Sequence, residues 1–226
     1  MDAQVVKGNR LVFAGAVLYL LEWVAIVAAG GIGVFLDPET APAKLAHAYA
    51  GHENWYAWAA GWFAVVLLGR VLFAVALRRG MVAASPTGEI VAEFAVLAML
   101  AGVVIEAASY AVVMAGAVMT DHHGAAESVR TLDVLGHSLN SVMWGPSGLA
   151  VLCLAWVMWR HGGFPRVLPG LGLLGGALLL LSAMAFNAPR FASVAGALEA
   201  GATVFWVWMI WTAVLMWRRT PKVTTA

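Results

Sequence analysis

Apolar residues run through this chain in six long stretches, each close to or above the ~20 residues a helix needs to cross a bilayer. They are Leu11–Leu36, Trp55–Leu77, Ile90–Met119, Asp133–Trp159, Val167–Phe186 and Gly196–Trp217. The segments between them carry turn chemistry, such as Asp37-Pro38-Glu39-Thr40-Ala41-Pro42, Arg78-Arg79-Gly80, Asp121-His122-His123-Gly124 and Asn187-Ala188-Pro189-Arg190. Backbone amides in hydrocarbon must be paired within their own segment, and the apolar stretches lack the two-residue alternation of a barrel strand. The pattern therefore predicts an all-α fold: a polytopic transmembrane helix bundle of six spans, forming one domain without an internal repeat. The first stretch is longer than the ~7–15-residue core of a signal peptide and carries Glu22 in its middle, so it reads as a span.

Charge sets the orientation. Lys7, Arg10, Arg78, Arg79, Arg160, Arg166, Arg218, Arg219 and Lys222 fall on one side, and Lys44, Arg130 and Arg190 on the other. The excess of cations on the first side places both termini in the cytoplasm, which suits an even number of spans in the cell inner (plasma) membrane. Composition agrees. The chain is 62% hydrophobic and 11% charged, against about 25% charged residues in a soluble domain. A formal net charge of +1 offers no field for nucleic acid, so the bilayer is the expected partner. The single cysteine, Cys153, excludes an internal disulfide and stands in an apolar run as packing.

Polar residues inside the apolar stretches carry the candidate chemistry, because a charge at the bilayer centre costs about 3 kcal/mol on insertion scales. Glu22 and Glu106 lie at similar depth near the middle of spans one and three. Gly102, Ser109 and Tyr110 share a helical face with Glu106, and Asp133, His137, Asn140, Ser141 and Trp144 share one in span four. Span six adds Glu199, Thr203 and Trp206. Spans one, three, four and six are thus expected to build a polar pocket that reaches the outer surface. Within it Glu22, Glu106, His137 and Asn140 are the candidate catalytic residues, and Trp23, Tyr110, Trp144, Glu199 and Trp206 the candidate substrate contacts. Asn140, Ser141 and Thr203 can equally be helix-to-helix hydrogen-bonding residues. Arg70, the one cation inside a span, is expected to pair with Glu93, with Glu89 one turn away.

His47, His52, His122 and His123 sit in the two long outer loops, with Glu53, Asp121 and Glu127 nearby. They are a candidate metal site or pH-sensitive mouth, although their spacing also fits surface histidines without a ligand role. Asp133 stands one turn before His137, where a carboxylate can orient an imidazole. No cofactor is predicted. A metal ion, or a haem held by His137 with His47 or His52, is the alternative.

The stretch from His137 through Trp144-Gly145-Pro146, Trp159-Arg160, Gly163-Phe164-Pro165-Arg166 and Leu171-Gly172-Leu173-Leu174-Gly175-Gly176 resembles a bacterial family of six-span membrane proteins catalogued as a domain of unknown function. The resemblance implies the topology and no activity.

Three functional readings follow. The first is a membrane enzyme using buried carboxylates for acid–base chemistry on an apolar or amphipathic small molecule, with an aromatic lining suited to cationic intermediates. The second is a proton-linked transporter, for which Gly145-Pro146 is the one candidate helix break. The third is a non-catalytic membrane subunit or sensor. Oligomeric state is not legible from the sequence.

Overall fold

The computed structural model describes the backbone of residues 3–28, 41–81, 86–161, 163–185 and 192–219, and their side chains except those of 3–9, 86, 161 and 192–199. Every regular element described is a helix: α1 (Ala3–Leu20), α2 (Glu22–Ala28), α3 (Pro42–Tyr49), α4 (Glu53–Val66), α5 (Leu68–Met81), α6 (Pro86–Asp121), α7 (Ala126–Val142), α8 (Trp144–His161), α9 (Val167–Ala185) and α10 (Ala192–Arg218). Six segments are long and apolar enough to cross a membrane: Arg10–Ala28, Glu53–Met81, Thr87–Asp121, Ala126–Arg160, Val167–Ala185 and Ala200–Arg218. The expected helical bundle of six spans is therefore found. Span four begins one turn and more before Asp133, because Asp133 is itself buried and lies inside the helix.

Glycine seams hold the spans together. A methyl group at Gly15 would meet the backbone of Phe73 at 2.5 Å, and one at Gly69 would meet Gly15 O and Tyr19 N at 2.5 Å, so α1 and α5 touch backbone to backbone. Gly148 and Gly176 do the same for α8 and α9, each leaving space for the other's carbonyl oxygen. Gly172 accommodates the Trp208 indole and Ala155. In lipid, where apolar surface gains nothing from burial against another helix, such close van der Waals approach is a main source of helix association. The helices close a ring in the order α1, α5, α6, α8, α9, α10 and back to α1, with α4 and α7 packed on α6.

Three spans are interrupted by single residues: span one at Leu21, span two at Leu67 and span four at Met143. At Leu21 the carbonyl accepts the indole N–H of Trp62 at 2.8 Å as well as the Val24 amide at 3.1 Å, which tightens the helix into an i to i+3 turn. Pro146 lacks an amide hydrogen and ends the regular ladder of α7 near Met143, as Gly145-Pro146 foretold. The other two interruptions have no Pro beside them.

The helix α3 lies in a segment expected to be a loop. It packs on α7 and α6 around a second small core of Leu45, Tyr49, Tyr56, Val113, Ala117 and Val129. The phenol of Tyr49 donates to the buried carboxylate of Asp133, which ties α3 to span four. Burial pushes the Tyr49 phenol well above its ordinary range, and the Asp133 carboxylate adds to the effect.

Candidate functional site

Spans one, three, four and six line an open cavity of about 290 Å³. Its lining is Tyr19, Glu22, Trp23 and Ile26 from the first span, Glu106 and Tyr110 from the third, Asn140, Met143 and Trp144 from the fourth, and Ala202, Thr203 and Trp206 from the sixth. The structure thus brings together Glu22, Trp23, Glu106, Tyr110, Asn140, Trp144 and Trp206, all singled out from the sequence. His137 lies one turn from Asn140 on α7, half-buried and not among the lining residues. The side chain of Glu199 lies outside the described residues.

The acidic end of the cavity is built on a buried ion pair. Arg70, fully buried, donates through Nη2 to Oε2 of Glu106, which is 2% exposed. This corrects the expected pairing of Arg70 with Glu93. Helix α5 continues to Met81 instead of ending at Leu77, so Arg70 lies deeper than a count from the shorter span suggests. Glu93 and Glu89 instead meet Arg78 at 3.5 and 3.7 Å, all three partly exposed. The Arg70 guanidinium also lies over the ring of Tyr19, 5.0 Å from its centroid.

Glu22 is the second carboxylate. It opens α2 directly after the break at Leu21 and is 7% exposed. Tyr19, one turn earlier, hydrogen-bonds to it, while its Oε2 has no hydrogen-bond partner among the described residues. Nε and Nη1 of Arg70 likewise have none. Buried polar atoms are paired in the great majority of cases, which sets these three unpaired atoms of Glu22 and Arg70 apart.

Aromatic rings form the walls. Tyr19 and Trp206 stack at 4.5 Å, Trp23 meets Trp206 edge-on at 5.7 Å, and Tyr110 stacks on Phe63 at 4.0 Å. Tyr110 also hydrogen-bonds to Asn140, which fixes both across spans three and four. Trp23 is half exposed on the face of α2. Sequence reasoning missed Tyr19 as a wall of this site and Arg70 as the partner of Glu106. The i to i+3 spacing of Tyr19 and Glu22 was the available signal for the first.

Of the loop histidines, His47 and His122 are exposed, His52 is half-buried, and His123 is exposed with φ of 58°. Asp121 accepts the Gly51 amide at 3.0 Å and hydrogen-bonds to Glu53, joining the ends of spans two and three. Among the described residues no three His, Cys, Asp or Glu side chains converge on a point that could hold a metal ion.

The chain belongs to the family described as domain of unknown function DUF4386, whose model matches residues 14–214. No curated protein and no solved structure matches it.

Proposed function

We propose that the cavity receives the polar end of an apolar or amphipathic small molecule from the membrane, and that Glu22 exchanges a proton with it as the acid–base residue of a membrane enzyme. The observation that carries this reading is the unpartnered oxygen of Glu22, nine-tenths buried in an aromatic-walled cavity. A structural carboxylate is normally matched by a partner, as Glu106 is by Arg70. On this reading Glu106 and Arg70 set the field at the site, Tyr19 orients Glu22, and Tyr110 with Asn140 positions the bound group.

Dicyclohexylcarbodiimide tests it, since this reagent modifies protonated carboxyl groups in apolar surroundings. Peptide mass spectrometry of the treated protein is expected to find the adduct on Glu22, with Glu106 unmodified. Modification of Glu106 in place of Glu22, or of neither, overturns the reading.

A proton-linked carrier is the second reading, favoured by the interruptions at Leu21 and Met143, which flank the site on two spans. Turnover in detergent separates an enzyme from a carrier, which needs a sealed vesicle. The excess of Lys and Arg on one side supports cytoplasmic termini in the plasma membrane. A fluorescent protein fused after Ala226 is expected to fold and fluoresce in the cytoplasm, whereas a periplasmic phosphatase at that position is expected to be inactive.

A further inference from the structure

The polar cluster beside the cavity contains two carboxylates, Glu22 and Glu106, and one cation, Arg70, all buried. With both acids ionised the cluster is one positive charge short. In a low-dielectric interior that charge must come from a proton or from a ligand. The groups facing Glu22 are Tyr19, Arg70, Glu106 and Tyr110, and none of them supplies a second cation. Among the described residues no Lys, Arg or His lines the cavity, whereas five aromatic residues do: Tyr19, Trp23, Tyr110, Trp144 and Trp206. An anionic head group would meet ring faces that repel it and no unpaired cation among the described lining residues. A cation would meet ring faces of favourable sign and an unpaired carboxylate oxygen. The volume of about 290 Å³ is at the low end of small-molecule sites, which run from about 300 to 1,000 Å³, and suits a compact head group.

We propose that the molecule bound here is a monovalent organic cation, an amphipathic amine or quaternary ammonium, and that its entry displaces the proton of Glu22. This rests on the buried, unpartnered Glu22 of the reading above and adds the class of ligand; a quaternary ammonium has no proton to exchange, so the proton of Glu22 goes to water. The exchange balances: the neutral acid and the incoming cation become a carboxylate–ammonium pair, and one proton leaves to water. Proton and ligand therefore compete for one carboxylate, and affinity rises with pH until Glu22 is already ionised in the empty protein.

The test uses the full chain in nanodiscs, with benzyltrimethylammonium and its neutral isostere neopentylbenzene as probes. Calorimetry in two buffers of different ionisation enthalpy counts the protons released. The cation is expected to bind at least tenfold more tightly than the isostere, with release of close to one proton and tighter binding at higher pH. Glu22→Gln is expected to abolish proton release and weaken the cation at least tenfold while leaving the isostere unchanged. Trp206→Leu keeps every charge and is expected to weaken the cation several-fold, so the inference does not hang on one variant that must fold. Equal binding of both probes, both displaced by the cavity-filling Thr203→Trp, overturns the cation and leaves the cavity reading standing. Binding of neither probe overturns both.

Discussion

Arg70 on α5 and Glu106 on α6 form an ion pair with both side chains almost wholly removed from solvent and lipid. Such pairs are costly to desolvate and costlier to break, because removing one partner leaves the other charge alone. Arg70→Met and Glu106→Gln are each expected to destabilise the detergent-solubilised protein by about 3–5 kcal/mol. The double variant is expected to recover much of that loss, which thermal unfolding of the three proteins would show. A double variant no better than the worse single one would remove the pairing from this account.

Gly69 has no room for a methyl group, and Gly61 on the same span has nothing within 4 Å of one. Gly69→Ala is expected to force α1 from α5 and lower stability by about 1–3 kcal/mol. Gly61→Ala is expected to be neutral or to gain up to about 1 kcal/mol from helix propensity. Equal melting temperatures for the two variants would contradict the seam.

The Tyr49–Asp133 hydrogen bond is expected to hold α3 against span four. Tyr49→Phe leaves a buried carboxylate oxygen short of a donor and is expected to cost about 1–3 kcal/mol. Hydrogen–deuterium exchange over residues 42–49 should rise in the variant while exchange in α9 stays as it was. The phenol is raised by burial first and by Asp133 second, so the folded state holds its proton where the unfolded chain has lost it. This contribution is fully present below the ordinary tyrosine range near pH 10 and fades as pH climbs through the higher folded value. Protection of α3 should therefore survive to about pH 10 and fall only beyond it.

Arg78 meets Glu89 and Glu93 at 3.7 and 3.5 Å with all three side chains partly exposed. Pairs of that kind contribute about 0–1 kcal/mol. Arg78→Gln is expected to leave the melting temperature nearly unchanged, in contrast to Arg70→Met. A drop as large as that of Arg70→Met would mean the membrane face around Arg78 is far drier than its exposure indicates.

The lining of the cavity was legible because helical spacing and the cost of charge in lipid act on the same residues. Glu22, Glu106, Asn140, Trp144 and Trp206 could be assigned to inward faces without coordinates, since an ionisable or polar side chain facing acyl chains is too costly to keep. The partner of Arg70 was not legible, because a shift of four residues in the end of span two moves the depth of everything on it. Helix α3 was hidden for a different reason: eight residues beginning at Pro42 carry no span-length signal, and their docking depends on tertiary contacts, the packing of Leu45 and Tyr49 on spans three and four and the hydrogen bond to Asp133. The break at Leu21 also has a tertiary cause, the indole of Trp62, 41 residues away. Gly15 and Gly69, more than fifty residues apart in the chain, pair only once the fold exists.

A rod bent inside oil usually exposes a peptide oxygen at the elbow, and the exposed dipole draws in water. At Leu21 that oxygen is doubly satisfied, from within its own chain by Val24 and from a neighbouring rod by Trp62. The elbow therefore needs no solvent to complete its hydrogen bonding, and the short arm beyond it begins with Glu22, turned toward the pocket.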